Sequence, residues 1–445
     1  MKQTLLILAC LARMGLAQDS MSINDAVKRA LEKNPSIEAS SDAEKTAQAR
    51  VEEAHSGYLP KVNYAESWMR SDNPVFVFSS LLEQHQFGVQ NFEIGPLNRP
   101  GSMNDFQSLV TADQPIYDAG KTKLAVKSAE LGKSMSGEET RGTRMRVISG
   151  AARAYYGAQL MQEELKAARE GIRSAEADLG RAQARLGSGM ATESDVLSIK
   201  VHVAGVRERE IKAEADLDVA KAALNDALGL PLDTPHTLTT ALAPLTVPAM
   251  PLGEYEHSGI ANRPDAKATK LATELARTQT AEARSNWLPQ VGFHAAFEAD
   301  RQRFYDRGGA NWLVSLGLRW NVFNGFADKA KAEESQYALH RSEAIERQAD
   351  STIRLEVRRA YADLRAASER IEAAKASVAE AEESLRISQN RYEAGLSTVT
   401  DLLQVEVALL DSRTRYAAAV HDERVAAMTL EMAAGTLSAD SEVLK

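Results

Sequence analysis

Two short patterns, Thr192-Glu193-Ser194-Asp195 and Thr398-Val399-Thr400-Asp401, set a hydroxyl three residues ahead of a carboxylate. At that spacing the hydroxyl accepts from an amide one turn on and the carboxylate reaches back to the first free amide, so each pattern reads as a helix capping box. That is hydrogen-bond chemistry, and groups able to make or break bonds are not arranged for it elsewhere. The eight His are scattered, with no His-Glu-x-x-His or other ligand spacing, and His294 reads as a polar lining residue rather than a metal ligand. No phosphate-cradling glycine loop or dinucleotide fingerprint occurs. Ser188 lies between Gly187 and Gly189 but lacks the strand–elbow–helix setting of a nucleophile. The abundant Asp and Glu fall on charged helix faces, where solvation is the default. The sequence therefore predicts no catalytic site, no cofactor and no metal.

What must position these caps is long helices. Over 445 residues the formal charge is −9, which disfavours nucleic acid as a partner. Lys2, the apolar run Thr4 to Ala12 and Gly15-Leu16-Ala17 read as a secretory signal over 1–17, with Arg13 an awkward neighbour of the apolar run. Its removal takes Lys2 and Arg13 away and carries the charge from −9 to −11. Cys10 is the sole cysteine. A lipidated Cys10 is the rival reading, but the apolar run before it would be shorter than usual. Without Cys10 the chain has no thiol for a disulfide or a metal. No later segment reaches the ~20 apolar residues of a membrane-spanning helix, so a secreted chain that meets a membrane lies on it, is anchored to it, or crosses it as strands.

The chain repeats itself. Asn34-Pro35 recurs as Arg263-Pro264 and Leu59-Pro60 as Leu288-Pro289, both offset by 229. Ile116-Tyr117-Asp118 matches Val322-Phe323-Asn324, and Arg185-Leu186-Gly187-Ser188-Gly189 matches Arg391-Tyr392-Glu393-Ala394-Gly395, both offset by 206. Thr192, Asp195 and Gly229 pair with Thr398, Asp401 and Gly435 at the same 206. The difference, 229 − 206 = 23 residues, is extra chain in the first copy. It falls in Asp72 to Asp105, which reads as a long aperiodic loop carrying aromatics at Phe76–Phe78 and Phe87–Phe92.

Within one unit, Ile23 to Ser56 has helical periodicity, and Gly259–Ser285 is its counterpart. Val291, Phe293, Ala295 and Phe297 alternate with polar or small residues, as do Trp312, Val314, Leu316, Leu318 and Trp320. These are strands of about a dozen residues, enough to cross a bilayer when tilted, and Trp68, Trp287, Trp312 and Trp320 are the candidate membrane girdle. The first copy is weaker, because Glu66 and Gln114 interrupt its apolar face. Four strands cannot close a membrane barrel, so subunits would share one. Beyond the strands, Leu165, Ala168, Ile172, Ala175, Leu179, Ala182 and Leu186 step as a coiled-coil seam, repeated by Leu364, Ala367, Ile371, Ala374, Val378, Ala381 and Leu385. Each seam ends at a glycine turn, and a shorter helix returns. The expected fold is α+β: long antiparallel coiled-coil helices with two transmembrane β-hairpins, in repeats over 18–230 and 252–436, a linker at 231–251 and a tail at 437–445.

The strand entries Leu59-Pro60 and Leu288-Pro289, the exits Tyr117-Asp118-Ala119-Gly120 and Phe323-Asn324-Gly325, and the two Arg-x-x-x-Gly turns together resemble the TolC family of outer-membrane efflux and secretion channels. The resemblance spans nearly all of the mature chain. It implies a homotrimer with a shared twelve-stranded barrel in outer-membrane lipid and a hollow α-helical barrel in the periplasm. It also implies tips facing a periplasmic adaptor (membrane fusion) protein that connects to an inner-membrane efflux pump. The duct itself is passive. Tip side chains Arg185, Leu186, Arg391 and Leu396 would meet the adaptor, while Gly189 and Gly395 serve turn geometry. In the family, acidic residues after the second turn narrow the periplasmic aperture. That position is Asp401 here, with Asp195 its counterpart in the first copy. The family's second acidic position falls on Gln404, Tyr392 fits a tyrosine of the closed-state lock, and a basic partner of that lock is replaced by Ser397. For both aspartates, capping alone and capping plus gating stand as alternatives. An outer-membrane component of a type I protein secretion system, or a structural periplasmic coiled-coil protein, are the other readings.

Overall fold

The computed structural model describes residues 19–245 and 250–444, so the expected leader over 1–17 and Cys10 lie outside the described residues. By internal contacts the chain forms two compact units. The first comprises the residues up to Ala43, Ser136–Thr269 and those from Glu346 on; the second comprises Glu44–Met135 and Lys270–Ile345.

The helices are α1 (Ile23–Lys33), α2 (Pro35–His55), α3 (Pro74–Glu83), α4 (Ile94–Asn98), α5 (Lys121–Gly187), α6 (Glu193–Ala227), α7 (Leu252–Asn262), α8 (Pro264–Ser285), α9 (Ala327–Glu393) and α10 (Val399–Ala433). The strands are β1 (Asp19–Met21), β2 (Lys61–Ser71), β3 (Met103–Tyr117), β4 (His236–Leu238), β5 (Gln290–Arg301) and β6 (Gly309–Arg319). The repeat is kept almost to the residue: α5 and α9 are both 67 residues, α6 and α10 both 35. All four bounds of α9 and α10 lie 206 residues after those of α5 and α6. No described helix is long and apolar enough to cross a membrane.

Two expected elements differ. The helix read over Ile23 to Ser56 is two helices, because Asn34 turns extended (φ −70°, ψ 124°) ahead of Pro35. Proline clashes with a helical residue before it, so the chain must restart. The same break separates α7 from α8 at Arg263-Pro264, where Arg263 is also extended. The 72–105 segment, expected to be an aperiodic loop, holds α3 and α4. Asn73 accepts from the amides of Val75 and Phe76, and Pro74 opens the helix. Phe78, Phe87 and Phe92 stack edge to face behind it, at 4.7 and 5.1 Å.

In the first unit, Met21, Ile23 and Val27 pack with Tyr155, Tyr156, Leu224, Leu228, Met428 and Leu444. β1 pairs in parallel with β4, a short sheet no sequence period signals. The Tyr155 hydroxyl donates to the Met21 carbonyl (2.9 Å) and accepts from the Thr240 amide (3.0 Å). Tyr156 donates to the Val443 carbonyl (3.2 Å), so the chain at Thr240 and the C-terminal tail are bound into one core. The breaks are packed as well: Asn34 Nδ2 donates to the Ala227 carbonyl at 3.0 Å. Gly229 and Gly435 end the returning helices at φ +69° and +72°, where a methyl would sit 2.5 Å from the Lys33 carbonyl and 2.6 Å from the Arg263 amide.

The second unit holds an antiparallel sheet of order β2-β3-β5-β6. Its register aligns the alternation across strands: Val291 faces Leu318, Phe293 Leu316, Ala295 Val314 and Phe297 Trp312. Val62 faces Ala112, Tyr64 Val110 and Trp68 Phe106. One face is therefore apolar, with Lys61, Asn63, Gln107, Asp113, His294 and Ser315 on the other. Glu66, the interruption, is answered across the sheet. It accepts from Tyr64 (2.7 Å), from Ser108, and from Arg301 (2.7 Å), which also donates to Ser108. A charge on this face is tolerated because it is paired there.

Candidate functional site

The two helical turns of the first unit form one site. At the first, the Gly189 amide donates to the Leu186 carbonyl (3.0 Å) and the Met190 amide to the Arg185 carbonyl (2.8 Å). At the second, Gly395 donates to Tyr392 (3.0 Å) and Leu396 to Arg391 (2.8 Å). Gly189 and Gly395 have φ +76° and +71°, and a methyl at either would meet nothing within 4 Å. Glycine here serves the left-handed backbone that closes the helix end.

Both expected capping boxes are present. Thr192 Oγ1 accepts from the Asp195 amide (3.2 Å) and Asp195 from the Thr192 amide (2.9 Å). At the second tip Thr398 Oγ1 accepts from the Asp401 amide (3.2 Å). Asp401 Oδ2 accepts from the Thr398 amide (3.0 Å), the Thr398 hydroxyl (2.8 Å) and the Ser397 hydroxyl (3.1 Å). Hydrogen bonds from Thr398, then from Ser397, hold the Asp401 carboxyl below its usual range, so it is a charge under all physiological conditions. Asp195 is half-buried, whereas Asp401 and Gln404 are exposed.

The tips are joined by a core of Ala175, Ala182, Val196, Ile199, Val203, Tyr392, Val399 and Leu402. Tyr392 is buried in it. Arg185 lies over the Tyr392 ring, its guanidinium carbon 5.1 Å from the centroid. It donates to the Tyr392 and Glu393 carbonyls at 2.8 and 3.0 Å. Arg185 and Tyr392 are thus together, although Ser397 holds no cation for the tyrosine. Leu186 and Leu396 are exposed, as is Arg391. A groove of about 810 Å³ runs along α9 and the start of α10, lined by Ile387, Arg391, Leu396, Ser397 and Asp401 among others.

One cluster was not anticipated. Asp178 and Glu406 are buried just inside the tips. Glu406 accepts from Ser174 (2.8 Å) and pairs with His202 at 3.1 Å, and Asp178 pairs with Arg181. Burial, then the neighbouring Glu406, pushes the Asp178 carboxyl up to about 7. Burial also opposes ionisation of Glu406, but hydrogen bonds from His202, Asp178 and Ser174 outweigh it and hold that group below its usual range. The signal was available: Glu406 sits at helical spacing between Leu402 and Leu409-Leu410, where an apolar residue is expected.

In the second unit, Trp68 and Trp312 lie toward the β2–β3 and β5–β6 loop ends of their strands. Trp287 and Trp320 lie at the helix-connected end, where Trp320 Nε1 donates to the Trp287 carbonyl at 3.0 Å. All four are exposed. The four Trp therefore fall in two bands, one at each end of the strands.

Paired long helices and a sheet with one lipid-compatible face define an outer-membrane channel subunit that extends into the periplasm. The chain belongs to the outer membrane efflux protein family, whose model matches residues 26–230 and 257–436. That family consists of ducts rather than enzymes. The chain is 27% identical to Protein CyaE of Bordetella pertussis over 345 residues, covering 77% of this chain and 73% of the relative. It is 23% identical to the alkaline protease secretion protein AprF of Pseudomonas aeruginosa, covering 96% and 88%. Among solved structures it is similar in fold to the outer membrane protein VceC of Vibrio cholerae, with TM-score 0.75, 19% identity and coverage of 93% and 96%.

Proposed function

We propose that this chain assembles as a homotrimer into a passive exit duct, fed from an inner-membrane pump through a periplasmic adaptor. The observation that carries the reading is the open sheet. β2 and β6 are its two edges, four strands are too few to close a membrane barrel, and an unpaired apolar edge invites another chain. Three copies joined edge to edge, β6 to β2, give twelve strands. Asp401 lines the periplasmic aperture, one to each copy, with Asp195, Gln404, Tyr392 and Ser397 around it. All three hydrogen bonds to Asp401 converge on one oxygen, which supports a carboxylate that caps its helix and still presents charge. Arg185, Leu186, Gly189, Arg391, Gly395 and Leu396 form the adaptor-facing tips, and the four Trp anchor the barrel. The duct has no catalytic role of its own, and the two repeats, 18–230 and 252–436, are its building units.

The test is assembly and conduction together. The purified protein should migrate as a heat-modifiable trimer and open conducting pores in planar bilayers, and a monomer soluble without detergent would overturn the reading. Photo-crosslinkers at Leu186 and Leu396 should capture the adaptor in cells.

The cargo is small molecules or ions. Protein export is a second reading, favoured by the near full-length similarity to a protein named for protease secretion. Deleting the gene and following dye accumulation beside the secreted protein fraction separates the two.

A further inference from the structure

At the loop end of the sheet, three carboxylates converge. Glu83 at the end of α3, Asp105 on β3 and Asp300 on β5 each offer an oxygen within 4.8 Å of the other two. Asp105 and Asp300 are 1% and 0% exposed. Neither oxygen of Asp300 receives a hydrogen bond among the described residues. Beside them Gln84, itself buried, donates from Nε2 to Asp105 (2.9 Å) and to the Asn104 carbonyl (3.1 Å). That fixes its amide orientation and leaves Gln84 Oε1 buried without a donor.

Buried acceptors without donors are costly, and buried carboxylates more so. The adjacent Arg301 does not relieve them. It points to the opposite face of β5, where it is engaged by Glu66 and Ser108. Glu298, on the same face as Asp300, is taken by Gln107 and adds negative charge nearby. Buried carboxylates in such a cluster favour coordination of a cation.

We propose that Glu83, Asp105 and Asp300 form a divalent-cation site selective for calcium, with Gln84 Oε1 or water completing the shell. All the donors are oxygens, which suits a hard cation and not zinc or copper. Magnesium dehydrates reluctantly and keeps several waters, whereas calcium accepts a flexible shell of protein oxygens, so a buried cluster of carboxylates suits calcium. The site pins the loop helix α3 to the strand ends, where Asn311 Nδ2 also holds the Glu83 carbonyl at 3.3 Å. It occurs once per chain, because Glu83 lies in the stretch that only the first repeat carries.

The full-length protein in detergent, stripped with EDTA, is titrated with calcium chloride alone and followed by equilibrium dialysis and thermal unfolding. One calcium per chain should bind with Kd of order 10⁻⁴–10⁻³ M, as for extracellular sites, and raise Tm. Magnesium at the same concentration should give less than a tenth of the occupancy. Asp300→Asn should lose at least tenfold in affinity while unfolding at a higher temperature than the wild type in EDTA. Glu83→Gln, at a half-buried position that leaves the strands intact, should lose the calcium response if Asp300→Asn does not fold. Absence of binding at millimolar calcium, or binding unchanged in both variants, overturns the site.

Discussion

The guanidinium of Arg185, at the end of the first long helix, lies 5.1 Å from the ring centroid of Tyr392 and donates to the Tyr392 carbonyl at 2.8 Å. One side chain thereby covers an aromatic face and caps carbonyls in the last turn of the second long helix, where a cation also complements the helix dipole. Arg185→Ala should destabilise the tips by about 1–2 kcal/mol and speed hydrogen exchange at amides 390–397. Arg185→Lys should recover only part of this, since an ammonium lacks the planar fork. Unchanged exchange in Arg185→Ala would show that the contact holds nothing.

The buried acidic pair makes stability depend on pH in two directions. Asp178, raised from 3.8 to about 7, contributes stability that is complete below 3.8 and is lost as pH rises toward 7. Glu406, held below 4.5, contributes stability present above 4.5 and lost as pH falls through its folded value. The wild type should therefore lose Tm between about pH 5 and 7, and Asp178→Asn should flatten that slope. Thermal unfolding at stepped pH decides it, and parallel slopes would remove Asp178 from the account.

At the second cap, the two parts of Thr398-x-x-Asp401 separate by experiment. Thr398→Ala removes the hydroxyl and should cost about 1 kcal/mol, with little effect on ion selectivity. Asp401→Asn should lower cation preference in single-channel recording. Selectivity equal to the wild type would leave Asp401 as a cap only.

Gly229 and Gly189 share a left-handed backbone but differ in surroundings. Gly189→Ala should cost about 1–2 kcal/mol, the backbone penalty alone. Gly229→Ala should cost more, because its methyl would press on the Lys33 carbonyl at 2.5 Å. Comparing the two melting temperatures separates conformational strain from close approach, and equal losses would contradict the packing of α6 against the α1–α2 break.

The sequence by itself determined the duplication, the long seams and the capping boxes, because each is a local pattern repeated at a constant offset. It also marked the alternating strands, since a sheet with one apolar face must alternate every second residue. The break at Asn34-Pro35 is carried by the proline itself, although helical periodicity runs through it. Tertiary structure alone decided the rest. Arg185 reaches Tyr392, and Asp178 meets Glu406, across more than two hundred residues. Tyr155 ties the N-terminal strand to Thr240, and Glu83, Asp105 and Asp300 converge from three separate elements. These are contacts between residues distant in the chain, for which no period or spacing exists to be read, and they arise only when packing sets one helix or strand against another.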